Sequence, residues 1–231
     1  MTDSVIVQLQ AVEKIYQQGK IEVPALRGLD LEVRRGEFMA LTGPSGSGKT
    51  TALNIIGGLD TPTRGKVVVD GRELATLSRG ELSRMRRDKI GFVFQAYNLV
   101  PVLTAFENAE MVLRLQGVPT AERRQRVMKL LAEVGLEGME HRKPAEMSGG
   151  QQQRVAIARA IAPGPVVTLA DEPTANVDSA TAEMLLSLME RLNRERDVTF
   201  IFSTHDPRVM ARARRVIRMV DGKIESDERK E

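Results

Sequence analysis

The sequence predicts an α/β protein built on a mostly parallel sheet, and three observations carry that reading. Two apolar runs, "VVTLA" and "VTFIFS", look like strands buried on both faces. Each follows a stretch of helical period, near 150–162 and near 180–194, so helices and strands alternate. A glycine-rich turn, "GPSGSGKT" from Gly43 to Thr50, separates a third apolar run from a further helical stretch.

Taken in order, "VIVQLQAVEKIY" has the period-two look of an edge strand. "LRGLDLEVRRGEFMALTG" predicts a strand, a turn at Arg35-Gly36, and a buried strand from Phe38 to Thr42. A helix is expected after Gly48, stopping near Gly57-Gly58, and "RGKVVVDGREL" gives a strand with an Asp-Gly turn. From about Leu82 to Gly138 the pattern is mostly helical. Within it, "TAERRQRVMKLLAEVGL" puts Val127, Leu130, Leu131 and Val134 on one face, with Gly135 as the stop. This helical middle reads as an insertion into the core. "VIRMVDGKIE" predicts a hairpin at Asp221-Gly222, and the polar tail "SDERKE" is expected to fray.

Composition excludes several classes. Among 231 residues there are 34 basic and 31 acidic ones, a net charge of +3 that argues only weakly for a nucleic-acid or membrane surface. With no cysteine, disulfides and thiolate zinc sites are ruled out. No stretch reaches the ~18–20 apolar residues of a membrane span, and "MTDSVIVQLQ" does not read as a secretory leader.

The chemistry sits at the ends of the apolar runs. In "GPSGSGKT" the glycines let backbone N–H groups turn toward phosphate oxygens. Lys49 would then reach the β- and γ-phosphates, and Thr50 would hold Mg²⁺. Asp171 and Glu172 follow "VVTLA", where open α/β sheets bind ligands; Asp171 would hold Mg²⁺ and Glu172 would take a proton from an attacking water. His205 follows "VTFIFST" and is placed to meet the γ-phosphate. Gln95 ends "IGFVFQ"; it is either a satisfied amide or a contact to Mg²⁺ or the water.

A second anion site stands at Ser148, Gly149 and Gly150, directly before a helix. One compact chain could not easily bring both sites onto one phosphate, whereas two chains head to tail could, burying two nucleotides. The apolar run "YNLVPVLTAF" fits either a docking groove for a partner helix or packing of the helical insertion.

Together these stretches resemble the ATP-binding cassette, the ATPase subunit of ABC transporters. The resemblance covers nearly the whole chain, in the family's order and spacing. It implies a P-loop NTPase core with an N-terminal antiparallel β subdomain and an inserted α-helical subdomain. The whole of 1–231 would be one ATPase domain, with its core about 1–94 and 160–231 and its helical part about 95–159.

"GPSGSGKTT" resembles the phosphate loop, which assigns Gly43, Pro44, Ser45, Gly46, Ser47, Gly48, Lys49, Thr50 and Thr51 to the nucleotide. Gln95 resembles the Q-loop glutamine, and "MSGGQQQR" the signature, with Ser148, Gly149, Gly150 and Gln151. "VVTLADEP" resembles the Mg²⁺ strand with catalytic Glu172, "NVDS" the D-loop with Asp178, and His205 the switch histidine. Tyr16 in "VEKIYQQG" is similar to the aromatic that stacks on adenine. The chain departs from the family at Met147 and Val177, where leucine is usual, and at the polar Thr168.

"IGFVFQAYNLVPVLTAFENAE" and "NIIGGLDTPTRGKVVVDG" are similar to the lipoprotein-releasing and macrolide-exporter branch. That resemblance implies ATP and Mg²⁺ as ligands, a second copy of the chain on ATP binding, and a separate transmembrane permease. It implies a cytoplasmic place, peripheral on the inner face of the bacterial plasma membrane. No direct nucleic-acid contact is expected. A non-transport relative acting on nucleic acid is the rival: "RMRRDK" and "RARRVIR" could touch it, but solvated faces explain them as well. A small-molecule kinase would leave the signature without a role.

Overall fold

The computed structural model describes residues 4–230. Its centre is strand β3 (Phe38–Thr42), buried at all five residues. Around it runs a six-stranded sheet in the order β10-β9-β3-β8-β7-β6. The other strands are β6 (Ile90–Val93), β7 (Val167–Asp171), β8 (Phe200–Ser203), β9 (Arg215–Val220) and β10 (Lys223–Arg229). All neighbours pair parallel except β10, which returns on β9. That return is the expected hairpin, with Asp221 at φ 47° and Gly222 at φ 76°, the two left-handed residues of a tight hairpin turn.

The apolar runs are continuous because the sheet divides two cores. Along β3, Phe38 and Ala40 face one core with Phe200, Phe202 and Ala170. Met39 and Leu41 face the other with Leu169 and Ile201. Successive strand residues point to opposite faces, so every position needs an apolar side chain. Phe38, Phe200 and Phe202 pack at ring separations of 4.8–5.7 Å. Polar exceptions are Thr42, Thr168 and Ser203, all buried; the hydroxyls of Thr168 and Ser203 have no hydrogen-bond partner among the described residues.

The second core lies against an antiparallel sheet of β1 (Val5–Gln18), β2 (Ile21–Arg34), β4 (Arg64–Val69) and β5 (Arg72–Glu73), in the order β2-β1-β4-β5. Strand β1 is therefore not an edge. Leu9 pairs with Leu31 on one side and with Val67 on the other. The alternation slips after Leu9, where Ala11 takes φ 46° and the register shifts.

Helix α1 (Lys49–Ile56) lies on this side, and α2 (Arg79–Lys89) leads into β6. The first core is closed by α3 (Ala105–Leu115), α4 (Thr120–Glu133), α5 (Gly149–Ile161) and α6 (Ser179–Arg196), while short α7 (Pro207–Arg212) precedes β9. The expected α4 face, Val127, Leu130, Leu131 and Val134, is fully buried. The result is a P-loop NTPase-type α/β core with an N-terminal antiparallel β subdomain and an inserted α-helical subdomain.

Two further expectations need correction. The run "IGFVFQ" is strand-like in sequence and forms β6, but the chain after it, up to Thr104, the cap of α3, is irregular rather than helical. Buried Asn108 holds that chain in place. Its amide donates to the carbonyls of Val100, Leu103 and Thr104 at 3.0–3.1 Å and accepts from the Val100 N–H at 2.8 Å. The tail does not fray through Arg229, because it forms β10. Asp227 pairs with Arg215 at 2.7 Å and Arg229 with Glu37 at 3.3 Å.

Candidate active site

The chemistry-bearing residues gather at the C-terminal ends of β3, β7 and β8. The chain leaves β3 through Gly43, at φ 137°, where a Cβ would sit 2.1 Å from the Met219 carbonyl. It enters α1 from Gly48 in a left-handed conformation, with no side-chain cap and no acidic residue in the first turn. The first N–H groups of α1 are thus left for an anion at the positive end of the helix dipole. Pro44, Ser45 and Gly46 are exposed, while Ser47 is buried and its carbonyl accepts from the Gly222 N–H at 3.1 Å. Ala25, Gly46, Gly48, Lys49, Thr50 and Thr51 line an open pocket of about 220 Å³. A larger hollow, about 650 Å³, lies at the opposite ends of the strands among Gly36, Asn193 and Arg214, away from every motif residue.

Lys49 folds back over the loop, donating to the carbonyls of Gly43 at 2.8 Å and Pro44 at 2.9 Å. The Thr50 hydroxyl donates to Asp171 Oδ1 at 3.1 Å across the gap between β3 and β7. A hydroxyl beside a carboxylate is an all-oxygen donor pair of the kind Mg²⁺ takes. The loop and this pair therefore fit a phosphate chain with its metal ion.

Glu172 follows β7 with φ 44°, a left-handed backbone that a non-glycine residue seldom adopts. Its N–H donates to the Ser203 carbonyl at 2.9 Å, which holds it against the end of β8. The carboxylate is gripped twice. His205 Nδ1 lies 2.7 Å from Oε1, and the Thr204 hydroxyl donates to Oε2 at 3.1 Å. The His205 ring itself is largely exposed, with 77% of its side chain open.

Gln95 turns its amide toward Asn176, donating to Oδ1 at 3.4 Å, while Asn176 donates to the Gln95 carbonyl at 3.0 Å. Sequence reading missed three residues here: Thr204, Asn176 and Tyr97. The Tyr97 hydroxyl donates to the Asn176 carbonyl at 3.0 Å and lies so close to Gly149 that a Cβ there would stand 2.6 Å from it. No sequence pattern singles out these contacts, since each joins segments far apart in the chain.

At α5, Ser148 and Gln151 form a capping box. The Ser148 hydroxyl accepts from the Gln151 N–H at 3.3 Å, and the Ser148 N–H donates to Gln151 Oε1 at 2.9 Å. Thr181 packs against Gly150, where a Cβ would fall 2.3 Å from its methyl. The Thr181 N–H and hydroxyl both donate to Asp178, at 3.0 and 2.6 Å, and hold its carboxyl below its usual pKa. Gly149, Gly150 and Asp178 thus form one assembly at the starts of α5 and α6. No hydrogen bond joins Ser148–Gln151 to Gly43–Thr51 among the described residues. Tyr16 stands on β1, 36% exposed, with its hydroxyl 2.7 Å from Asp60.

The comparisons with known proteins agree with this geometry. The family model for ABC transporters matches residues 26–175. The chain belongs to the ABC transporter family. It is an ATP-binding subunit of that family by the relatives it resembles. An ABC transporter ATP-binding protein of Thermotoga maritima is 48% identical over 97% of this chain and 96% of its own length. The lipoprotein-releasing system ATP-binding protein of Anaeromyxobacter dehalogenans is 46% identical over 96% and 93%. A macrolide export ATP-binding/permease protein of Syntrophobacter fumaroxidans is 47% identical over 96% of this chain, which spans 31% of that longer relative. Among solved structures, an ATP-binding cassette from Methanocaldococcus jannaschii matches with a TM-score of 0.89 at 45% identity, covering 97% of this chain and 98% of that one. That structure is a dimer in a post-hydrolysis state bound to ADP and Pi.

Proposed function

We propose that this ABC ATPase hydrolyses ATP between two copies of itself and so drives a separate permease. The observation that carries the reading is the grip on Glu172. One carboxylate, strained and anchored beside the phosphate loop, faces a histidine and a hydroxyl from the neighbouring strand end. Glu172 is the general base for the attacking water, and His205 orients that water and the γ-phosphate. Lys49 leaves the loop carbonyls for the β- and γ-phosphates. Thr50 and Asp171, with Gln95 swung from Asn176, would hold Mg²⁺, which neutralises charge on the phosphate oxygens. Positioning and electrostatics supply most of the acceleration in phosphoryl transfer.

The signature end of α5 completes the site in the second copy. The dimeric relative supports this, as does the missing link between the two anion sites within one chain. A groove of about 350 Å³ lined by Leu59, Phe92, Phe94, Met111 and Leu115 supports a docked permease segment. Its two phenylalanines stack at 5.6 Å. Of the run 97–106, only Asn98 lines it; Val100 is held away by Asn108. Likeness to the lipoprotein-releasing and macrolide-export proteins supports release or export of cargo as the work done. The basic runs give little support to a nucleic-acid role. Arg87 pairs with Asp88, Arg212 with Glu183, Arg215 with Glu37 and Asp227, and Arg218 with Glu225.

The test is Glu172→Gln, which keeps the shape and removes the base. Turnover should fall about a hundred- to ten-thousandfold, while light scattering shows a dimer that persists in ATP. Undiminished turnover would refute the base, and a monomer in ATP would refute the composite site.

A further inference from the structure

We propose that Lys14 and Asp60 are positioning residues for the nucleotide base, holding the Tyr16 ring so that one face is left for a purine. The proposal rests on the reading of Tyr16 as the base-stacking aromatic. Lys14 and Tyr16 stand two apart on β1, and the Lys14 ammonium lies over the ring, 4.9 Å from its centroid. The same ammonium donates to Asp60 Oδ1 at 2.6 Å and to the Thr61 carbonyl at 2.8 Å. The Tyr16 hydroxyl donates to the other oxygen, Asp60 Oδ2, at 2.7 Å. The three side chains close a loop that fixes the ring at its edge and covers one face.

The charges are held tightly. Lys14 is only 12% exposed and Asp60 26%. Burial alone would push the Asp60 carboxyl up, but hydrogen bonds from Lys14, Tyr16 and the Thr61 backbone outweigh it and bring it below its usual pKa. Burial, then the bond to Asp60, raises the Tyr16 phenol, against a smaller opposing bond from Thr51. The Tyr16 hydroxyl is tied through Asp60 to the chain just beyond the last turn of α1, the helix that starts at the phosphate loop. The place of the base is set relative to the place of the phosphates. A ring already fixed loses little rotamer freedom when a base stacks on it, so less of the stacking energy is spent on ordering.

The competing explanation is that the trio only staples β1 to the chain after α1. The two differ in what they do to a ligand that has phosphates but no base. The full chain is measured by calorimetry with MgATP and with Mg-tripolyphosphate, as wild type, Tyr16→Ala, Asp60→Asn and Lys14→Met. Tyr16→Ala should weaken MgATP at least about fivefold and leave tripolyphosphate unchanged. Asp60→Asn and Lys14→Met should each weaken MgATP alone, about two- to fivefold, and Asp60→Asn should add nothing in the Tyr16→Ala background. Equal loss for both ligands would mean a staple and overturn the proposal. Wild-type ATP affinity in Asp60→Asn and Lys14→Met, with Tyr16→Ala impaired, would overturn it and leave the stacking intact. An unchanged ATP-to-tripolyphosphate ratio in Tyr16→Ala would fell the stacking reading itself. Lys14→Met, which leaves the Asp60–Tyr16 bond in place, carries the test if Asp60→Asn fails to fold.

Discussion

Two helix starts in this chain face opposite demands. Helix α1 begins at a left-handed glycine with no side chain on its N–H groups and no acid in its first turn. Helix α5 begins at a serine whose hydroxyl accepts from the Gln151 N–H and whose own N–H donates to the Gln151 side chain. The first has no side-chain cap, so on the proposed function a bound phosphate satisfies its N–H groups. The second is stable by itself, and its free N–H groups are those of Gly149 and Gly150, bare of side chains beside Tyr97 and Thr181. An uncapped start costs stability that a bound phosphate returns; a capped start can be presented to another molecule without depending on it. On the proposed function, the start of α1 is then a receptor for phosphate and the start of α5 a ready-made surface.

Breaking the receptor should have the largest effect. Lys49→Ala removes the charge aimed at the phosphates and should lower turnover about a hundred- to a thousandfold in a steady-state assay. Ser148→Asp attacks the surface instead. Aspartate caps as well as serine does, so thermal stability should be kept, but its charge meets the phosphate of the other copy and dimerisation should fail. Mixing the two inactive variants should restore part of the intact rate, because each mixed dimer has one whole site. No recovery would mean that both helix starts serve the same chain's nucleotide.

Smaller effects separate capping from ligand binding. Ser148→Ala deletes the cap and should cost about 1 kcal/mol, seen as a fall of a few degrees in Tm without nucleotide. Asp178 tests the neighbouring start of α6 by pH. Hydrogen bonds from Thr181 hold its folded pKa below the unfolded value of 3.8. Its contribution is therefore full above the unfolded value and is lost as the pH falls through the folded one. The Tm difference between the wild type and Asp178→Asn should shrink from about pH 5 to about pH 3, whereas α1, with no acid at its start, contributes nothing to that change.

Much of the fold was legible because its signals are local. The α1 limits, the α4 face and the Asp221-Gly222 hairpin each depend on residues within one or two turns of chain. The period-two pattern of β1 does not show whether the strand has one neighbour or two, and the structure gives it two, β2 and β4. The stretch before α3 looked helical because its apolar residues are real; Asn108 overrides them with four hydrogen bonds. The tail looked loose because its charges are visible in sequence and their partners, Arg215 and Glu37, are not adjacent.

Where the chemistry-bearing groups stand along the chain is legible from the amino-acid order alone. The phosphate loop, the acidic pair after β7 and the histidine after β8 each sit at the end of an apolar run, and backbone direction alone sends such ends to one edge of a parallel sheet. How those groups are held depends on contacts that form only when the chain is folded. The Thr204 and His205 grip on Glu172, the Asn176–Tyr97 contact at Gly149 and the Lys14–Asp60 hold on Tyr16 join segments from 30 to 80 residues apart. Side-chain contacts at that separation depend on strand order, which the spacing of motifs does not encode.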